Sequence, residues 1–247
     1  MEVELEVNAG VAVVTLAAPE RRNALTPQMA EELVEVLDRA DAEPGVGAVV
    51  IRGGGSFCAG AHLGTLSGAG ADPAGEETYA GLSAVYASFV RVGSVTVPTI
   101  AAVRGAAVGA GLNLALATDL RIVARDVRLL SGFQRIGIHP GGGHFVLLSR
   151  VAGREAAAAM GLFGEEVDGS RAVELGLAWS AVDDDQVESR ALELASRVAA
   201  DPALARAAAR SFRLETGPPA VPWDVAVQAE RPSQMWSMRR KNQAGQP

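Results

Sequence analysis

Residues 98 to 123, PTIAAVRGAAVGAGLNLALATDLRIV, constrain the fold more than any other stretch of the chain. Thr99 to Val103 form an apolar, partly β-branched run, glycines stand at 105, 109 and 111, and Leu112, Leu114, Ala115 and Leu116 continue at helical spacing. The pattern predicts a buried strand, a glycine-rich turn, a short helix and a second strand. Such a strand delivers bare backbone to a helix start, whose first turn has free N–H groups and the positive end of the helix dipole. A turn of this kind holds an anion or a developing oxyanion. Glycine turns are also common as purely structural corners, so this stretch alone leaves both readings open.

A second glycine loop changes the balance. Residues 46 to 63, VGAVVIRGGGSFCAGAHL, repeat the arrangement: an apolar strand up to Ile51, then Gly53, Gly54 and Gly55, and a small-residue corner at Ala59, Gly60 and Ala61. Two backbone N–H donors from separate loops are what a thioester carbonyl needs if it is to become an enolate oxyanion. Together, FCAGAHL and VRGAAVGAGLNLALATDLRIV resemble the paired signatures of the enoyl-CoA hydratase/isomerase, or crotonase, superfamily. RRNAL at 21 to 25, IGIHPGGG at 136 to 143, LSRVAGREAA at 148 to 157 and RAVELGLAWSAV at 171 to 182 extend the resemblance over nearly the whole chain.

The resemblance implies an α/β fold, a crotonase-type spiral of repeated ββα units with the acyl-CoA site over residues 1–183. A C-terminal helical region, 184–247, would serve trimerisation, giving a homotrimer or a dimer of trimers. No internal sequence repeat betrays the spiral. The family's closing helix is short or absent before Pro247, which bears on the part of the coenzyme site that a neighbouring subunit lends.

Bulk properties fit this reading. A chain of 247 residues, about half of them apolar, can bury one sizeable core. Its net charge of -7 argues against nucleic acid but leaves room for a locally basic coenzyme A site. The single cysteine, Cys58, allows no intrachain disulfide and suits a reducing cytoplasm. The start, MEVELEV, is unlike a signal or transit peptide, and no apolar run reaches the ~20 residues that span a bilayer. A soluble, cytoplasmic protein with no membrane partner is expected.

In chain order, residues 2 to 16 alternate around Asn8-Ala9-Gly10 and predict a β-hairpin. Thr26 and Pro27 make an N-cap and first-turn pair for a helix to about Ala40, with Met29, Leu33, Val36 and Leu37 as its apolar stripe. Gly64 to Gly75 has little to bury and predicts a mobile loop. A helix follows from about Glu77 to Val92, with Tyr79, Leu82, Val85, Tyr86 and Phe89 on its apolar face. These aromatics read as core before substrate cage, with Tyr79 or Tyr86 in reach of the pocket. Beyond a strand near 178 to 182, helices are expected up to Ala200, from Pro202 to Glu215, and from about Pro222 to Pro232.

In hydratases of the superfamily, one glutamate stands two residues after the last glycine of the second oxyanion loop and another twenty residues further on. The matching places here are Asn113 and Phe133, neither of which exchanges a proton near neutral pH. An acid used by some isomerases and dehalogenases around the turn His139-Pro140-Gly141 is missing too. The resemblance makes the N–H groups of Ala61 and Ala110 the oxyanion donors, with Gly60 and Gly109 letting the backbone approach. RRNAL, through Arg22, Asn23 and Ala24, would meet the adenine end of coenzyme A, alongside Ala59 and Gly60. Arg21 and Arg22 are equally readable as phosphate partners or as a solvated pair.

The candidate replacements for the missing acids are the three histidines, His62, His139 and His144, all in the two presumed site loops. Unperturbed imidazole titrates near pH ~6.5. Asn113 is suited to orienting water or a substrate polar group, and Asp119 and Arg121 are read as a structural pair. No metal spacing, P-loop or serine-histidine-acid order is visible, and Cys58 reads as packing. Coenzyme A enters only as part of the substrate. Two functions stay open: an acyl-CoA-transforming enzyme that stabilises a thioester enolate without the usual glutamates, and a non-catalytic acyl-CoA-binding or regulatory protein on the same fold.

Overall fold

The computed structural model describes residues 1–62, 64 and 75–217. The expected loop over 65–74 and the expected helix at Pro222 to Pro232 lie outside the described residues.

The chain opens on a hairpin, β1 (Val3–Asn8) and β2 (Val11–Leu16), paired antiparallel. Ala9 and Gly10 both take positive φ, 47° and 79°, the backbone a two-residue hairpin turn demands. Helix α1 (Pro27–Ala42) then starts as its sequence predicts, with the Thr26 hydroxyl accepting from the Met29 N–H at 3.1 Å. Strand β3 (Ala48–Gly53) runs parallel to β2.

Three ββα turns follow, and they build the site. In the second and third, a strand of one sheet passes through a corner into a strand of a second sheet and then into a helix; in the first, an extended segment takes the second strand's place. The first turn runs from β3 through the extended segment at Cys58, bridged to Ala107, to α2 (Glu76–Gly93). The second is β4 (Thr99–Val103), β5 (Ala106–Val108) and α3 (Ala110–Leu116). The third is β6 (Leu120–Ala124), β7 (Arg128–Leu130) and α4 (His144–Gly161), which breaks helical geometry at Gly153. Short β8 (Glu166–Val167), α5 (Gly169–Glu174), β9 (Ser180–Val182), α6 (Val187–Ala199) and α7 (Pro202–Thr216) complete the described chain.

The first sheet has the order β1-β2-β3-β4-β6-β9 and the second β5-β7-β8. Strands β3, β4 and β6 are parallel to their neighbours, and β3 and β4 are almost wholly buried, which is why they read as nearly continuous apolar runs. Helix α6 lays Val187, Ala191, Ala195 and Ala199 on this sheet, their small side chains allowing close approach. Arg52 and Arg104 reach Glu188 across the same junction.

One expected pair is only electrostatic: burial lowers the Arg121 pKa, and the charge of Asp119 raises it against that burial. Asp119 does not hydrogen-bond Arg121; its carboxylate takes the Thr99 hydroxyl and N–H and the guanidinium of Arg213, 94 residues away on α7. Arg213 also donates to the carbonyls of Val95 and Val97, so α7 is pinned to the core by one fork. Arg121 instead donates to the carbonyls of Thr118 and Leu177.

Candidate functional site

The helix-bearing corners of all three turns open into one cavity of about 550 Å³. Its floor carries Ala59, Gly60, Ala61 and His62 from the first corner, Val108, Gly109, Ala110 and Asn113 from the second, and Ser131, Gly132 and Phe133 from the third. Leu82, Val85, Tyr86 and Phe89 of α2 face it, so Tyr86 reaches the pocket, whereas Tyr79 is 73% exposed and does not line it. The rim includes Arg22, Ala24, Ile136, Ile138 and His139.

Two glycines explain why the corners can meet. Gly60 sits at φ 105°, where a side chain is strained, and an added Cβ would stand 2.8 Å from the Val108 carbonyl. At Gly111, in the first turn of α3, a Cβ would fall 2.2 Å from the carbonyl oxygen of Cys58. The helix start therefore rests directly on the neighbouring loop's backbone. Gly111→Ala is expected to cost ~1–3 kcal/mol by overpacking, read as a lower urea midpoint; an unchanged midpoint would mean the loop yields without cost.

Ala110 is the first residue of α3, and its N–H is one of the helix-start donors that lack an intrahelical partner. Around Ala61, Leu25 donates to the Gly60 carbonyl at 2.7 Å and the His62 N–H to the Leu25 carbonyl at 2.8 Å. The Ala59 N–H goes to Arg22, and the Ala61 N–H enters none of these bonds. Both N–H-bearing residues line the same cavity.

The RRNAL segment divides its labour. Arg21 also lines the cavity but is engaged, paired with Glu2 at 2.5 Å and Glu20 at 2.8 Å and donating to the Ala24 carbonyl, and the Glu2 hydrogen bond raises its pKa. Arg22 is exposed at the cavity rim and has no ion-pair partner among the described residues. Asn23 departs from the expectation of a ligand contact. It is fully buried, its amide oxygen accepting from the Ala18 N–H and its nitrogen donating to the carbonyls of Ser56 and Phe57. It pins the first corner in place rather than lining the cavity.

The histidines separate as well. His62 and His139 are at the cavity wall, and the His139 Nδ1 lies 2.7 Å from the Pro140 carbonyl. His144 is 1% exposed behind that wall, where burial pushes its pKa down to about 4. Its Nδ1 lies 2.7 Å from Asn113 Oδ1, its Nε2 lies 2.7 Å from Ser131 Oγ, and the Phe133 edge packs on its ring at 4.9 Å. Asn113 in turn donates to the Gly141 carbonyl at 3.0 Å. Ser131 carried no signal in the sequence beyond a polar residue in a loop. Cys58 is fully buried, with its thiol pushed up to about 12 by desolvation, so it is packing and not a nucleophile. No group of metal-binding side chains occurs among the described residues.

Comparison with known proteins converges on one family. Residues 6–230 match the family model described as enoyl-CoA hydratase/isomerase. The chain is 46% identical over 201 residues to the Mycobacterium tuberculosis protein named "Probable enoyl-CoA hydratase EchA14", covering 81% of this chain and 76% of that one. It is 35% identical over 200 residues to the Escherichia coli 1,2-epoxyphenylacetyl-CoA isomerase, covering 79% and 75%. A Thermobifida fusca chain solved in complex with CoA superposes with a TM-score of 0.82 at 27% identity, over 98% of this chain and 95% of that one. With its three ββα turns and paired glycine corners, the chain belongs to the enoyl-CoA hydratase/isomerase family.

Proposed function

We propose that the protein transforms acyl-CoA thioesters by holding the thioester carbonyl between the N–H groups of Ala61 and Ala110, which stabilise the enolate that forms on loss of an α-proton. The observation that carries this reading is the meeting of two glycine corners at one cavity, with Ala61 and Ala110 both in its wall. Preorganised backbone donors aimed at developing charge are typically the largest single contribution to such chemistry. Leu82, Val85, Phe89 and Phe133 offer an apolar berth for the acyl group, and Arg22 a cation for coenzyme A phosphates. Relatives named as a hydratase and an isomerase favour turnover over simple binding.

Calorimetry with octanoyl-CoA and free octanoate tests the reading. The thioester is expected to bind more tightly than the acid, and absence of thioester binding at high micromolar concentration would refute it.

We also propose a homotrimer or dimer of trimers. Phe163, Trp179, Phe212 and Leu214 are each more than half exposed on the later helices and connections, an apolar surface that a second copy would cover. Light scattering decides this, and a clean monomer at micromolar concentration would overturn it.

A further inference from the structure

Two side chains of the cavity wall, Asn113 and Ser131, and one behind it, His144, form a chain of hydrogen bonds whose directions are fixed by chemistry. The Gly141 carbonyl can only accept, so the Asn113 nitrogen faces it and the Asn113 oxygen faces His144 Nδ1. An amide oxygen can only accept as well, so Nδ1 carries the ring proton. His144 Nε2 is left with its lone pair toward Ser131 Oγ, and the serine hydroxyl donates to it. A hydroxyl, a base and an orienting group in this order are the parts of an activated nucleophile.

The placement fits that use. Ser131 lines the same cavity as Ala61 and Ala110. The residue before it, Leu130, accepts from the Gly109 N–H at 2.9 Å, so the serine lies beside the start of α3. The Phe133 ring holds the imidazole edge-on from one side. His62 and His139 share the cavity but have no such partners on both ring nitrogens among the described residues. Burial keeps His144 neutral at any pH well above about 4, so Nε2 is free to accept the serine proton, while the same burial makes it a weaker base than an ordinary imidazole. Burial is the one cause of that shift, and no charged side chain contributes to it.

We propose that Ser131 is a nucleophile and that the protein hydrolyses acyl-CoA thioesters through an acyl-serine. This rests on the reading that places the thioester carbonyl at Ala61 and Ala110. Ser131 Oγ bonds to the carbonyl carbon as its proton passes to His144 Nε2, and the carbonyl oxygen carries the charge between the two N–H groups. The C–S bond then breaks, and the sulfur leaves with the proton from His144 as the coenzyme A thiol. Water attacks the resulting ester, giving a proton to Nε2, and the ester C–O bond breaks as that proton returns to Oγ. One thioester and one water give one carboxylic acid and one thiol, with no oxidant or reductant. Asn113 is a positioning residue, holding the imidazole tautomer that leaves Nε2 free.

Thiol release from octanoyl-CoA and benzoyl-CoA tests the proposal. Benzoyl-CoA has no α-hydrogen, so enolate chemistry cannot consume it, whereas acylation of Ser131 can. Both are expected to release thiol, and acid-quenched digests should carry the acyl group on the peptide containing Ser131. Ser131→Ala should lower release by at least ~100-fold, the low end of what a positioned catalytic group supplies, while calorimetric binding of octanoyl-CoA stays within a few-fold. Ser131→Cys, close in size and still nucleophilic, should become acylated, which separates chemistry from packing.

Asn113→Asp should move the acid limb of the thiol-release pH profile to higher pH, because a carboxylate favours the imidazolium; an unmoved limb would remove Asn113 from the relay. A wild-type protein that binds octanoyl-CoA but releases no thiol above the spontaneous rate overturns the hydrolase alone. So does a Ser131→Ala protein that releases it as fast as wild type. A protein that binds no thioester refutes both this inference and the reading it rests on.

Discussion

Crotonyl-CoA hydration by this protein is expected to run ~10²–10⁴-fold below that of a hydratase with its glutamates in place, the contribution typical of a positioned general acid or base. Asn113 is held by Gly141 and His144, and Phe133 packs on the same histidine. The only carboxylate among the described residues of the cavity wall is Glu20, which is exposed and paired with Arg21. Loss of enoyl-thioester absorbance measures the rate. A wild-type rate typical of hydratases would sink the claim and move proton transfer onto His62, His139 or the Ser131 relay. In the double variant Asn113→Glu with Phe133→Glu, some hydration is expected to appear. The new carboxylate at 113 can still accept from His144 Nδ1, but the half-buried Gly141 carbonyl, which lines the cavity, loses its donor.

Acid should unfold the protein from a pH well above the ordinary carboxylate range. His144 is depressed from 6.5 to about 4 in the fold by burial. Between those values the unfolded chain takes up a proton that the native state does not, so stability falls as pH falls through this window and levels off below about 4. The full span corresponds to a loss on the order of 3 kcal/mol. Urea midpoints of wild type and His144→Gln at pH 7 and pH 4.5 isolate the effect, because carboxylates such as Asp41 and Glu166 titrate alike in both proteins. Equal pH dependence in the two would show that His144 is not the group responsible.

The strand–glycine–helix stretch at 98 to 123 was legible because its information is local: apolar runs, glycine corners and a helical stripe follow one another without a gap. The assignment of Asn113 and Phe133 to the two glutamate places needs only a count along a family pattern, and it stands as the expectation that the hydration assay tests. The relay of Asn113, His144 and Ser131 was not legible, because its members come from two turns of the spiral, Asn113 from the second and Ser131 and His144 from the third, and only packing makes them neighbours. His144 looked like a loop histidine, yet the fold removes it from solvent and gives each ring nitrogen one partner. The RRNAL arginines looked equivalent, but the N-terminal hairpin brings Glu2 to Arg21 and leaves Arg22 at the rim. Asp119 looked paired with Arg121 because the two are close in sequence, while its partner arrives on α7.

Cys58 lies where the first two corners touch, its carbonyl under Gly111 and its sulfur sealed from solvent. As the chain's only thiol, it makes the native protein silent to alkylating and disulfide reagents at neutral pH. A colorimetric count of liberated coenzyme A therefore has no protein background while the fold is intact. Once the two corners part, the sulfur becomes a label site. The rate at which a reagent modifies this one atom then reports how often the junction beneath the cavity opens.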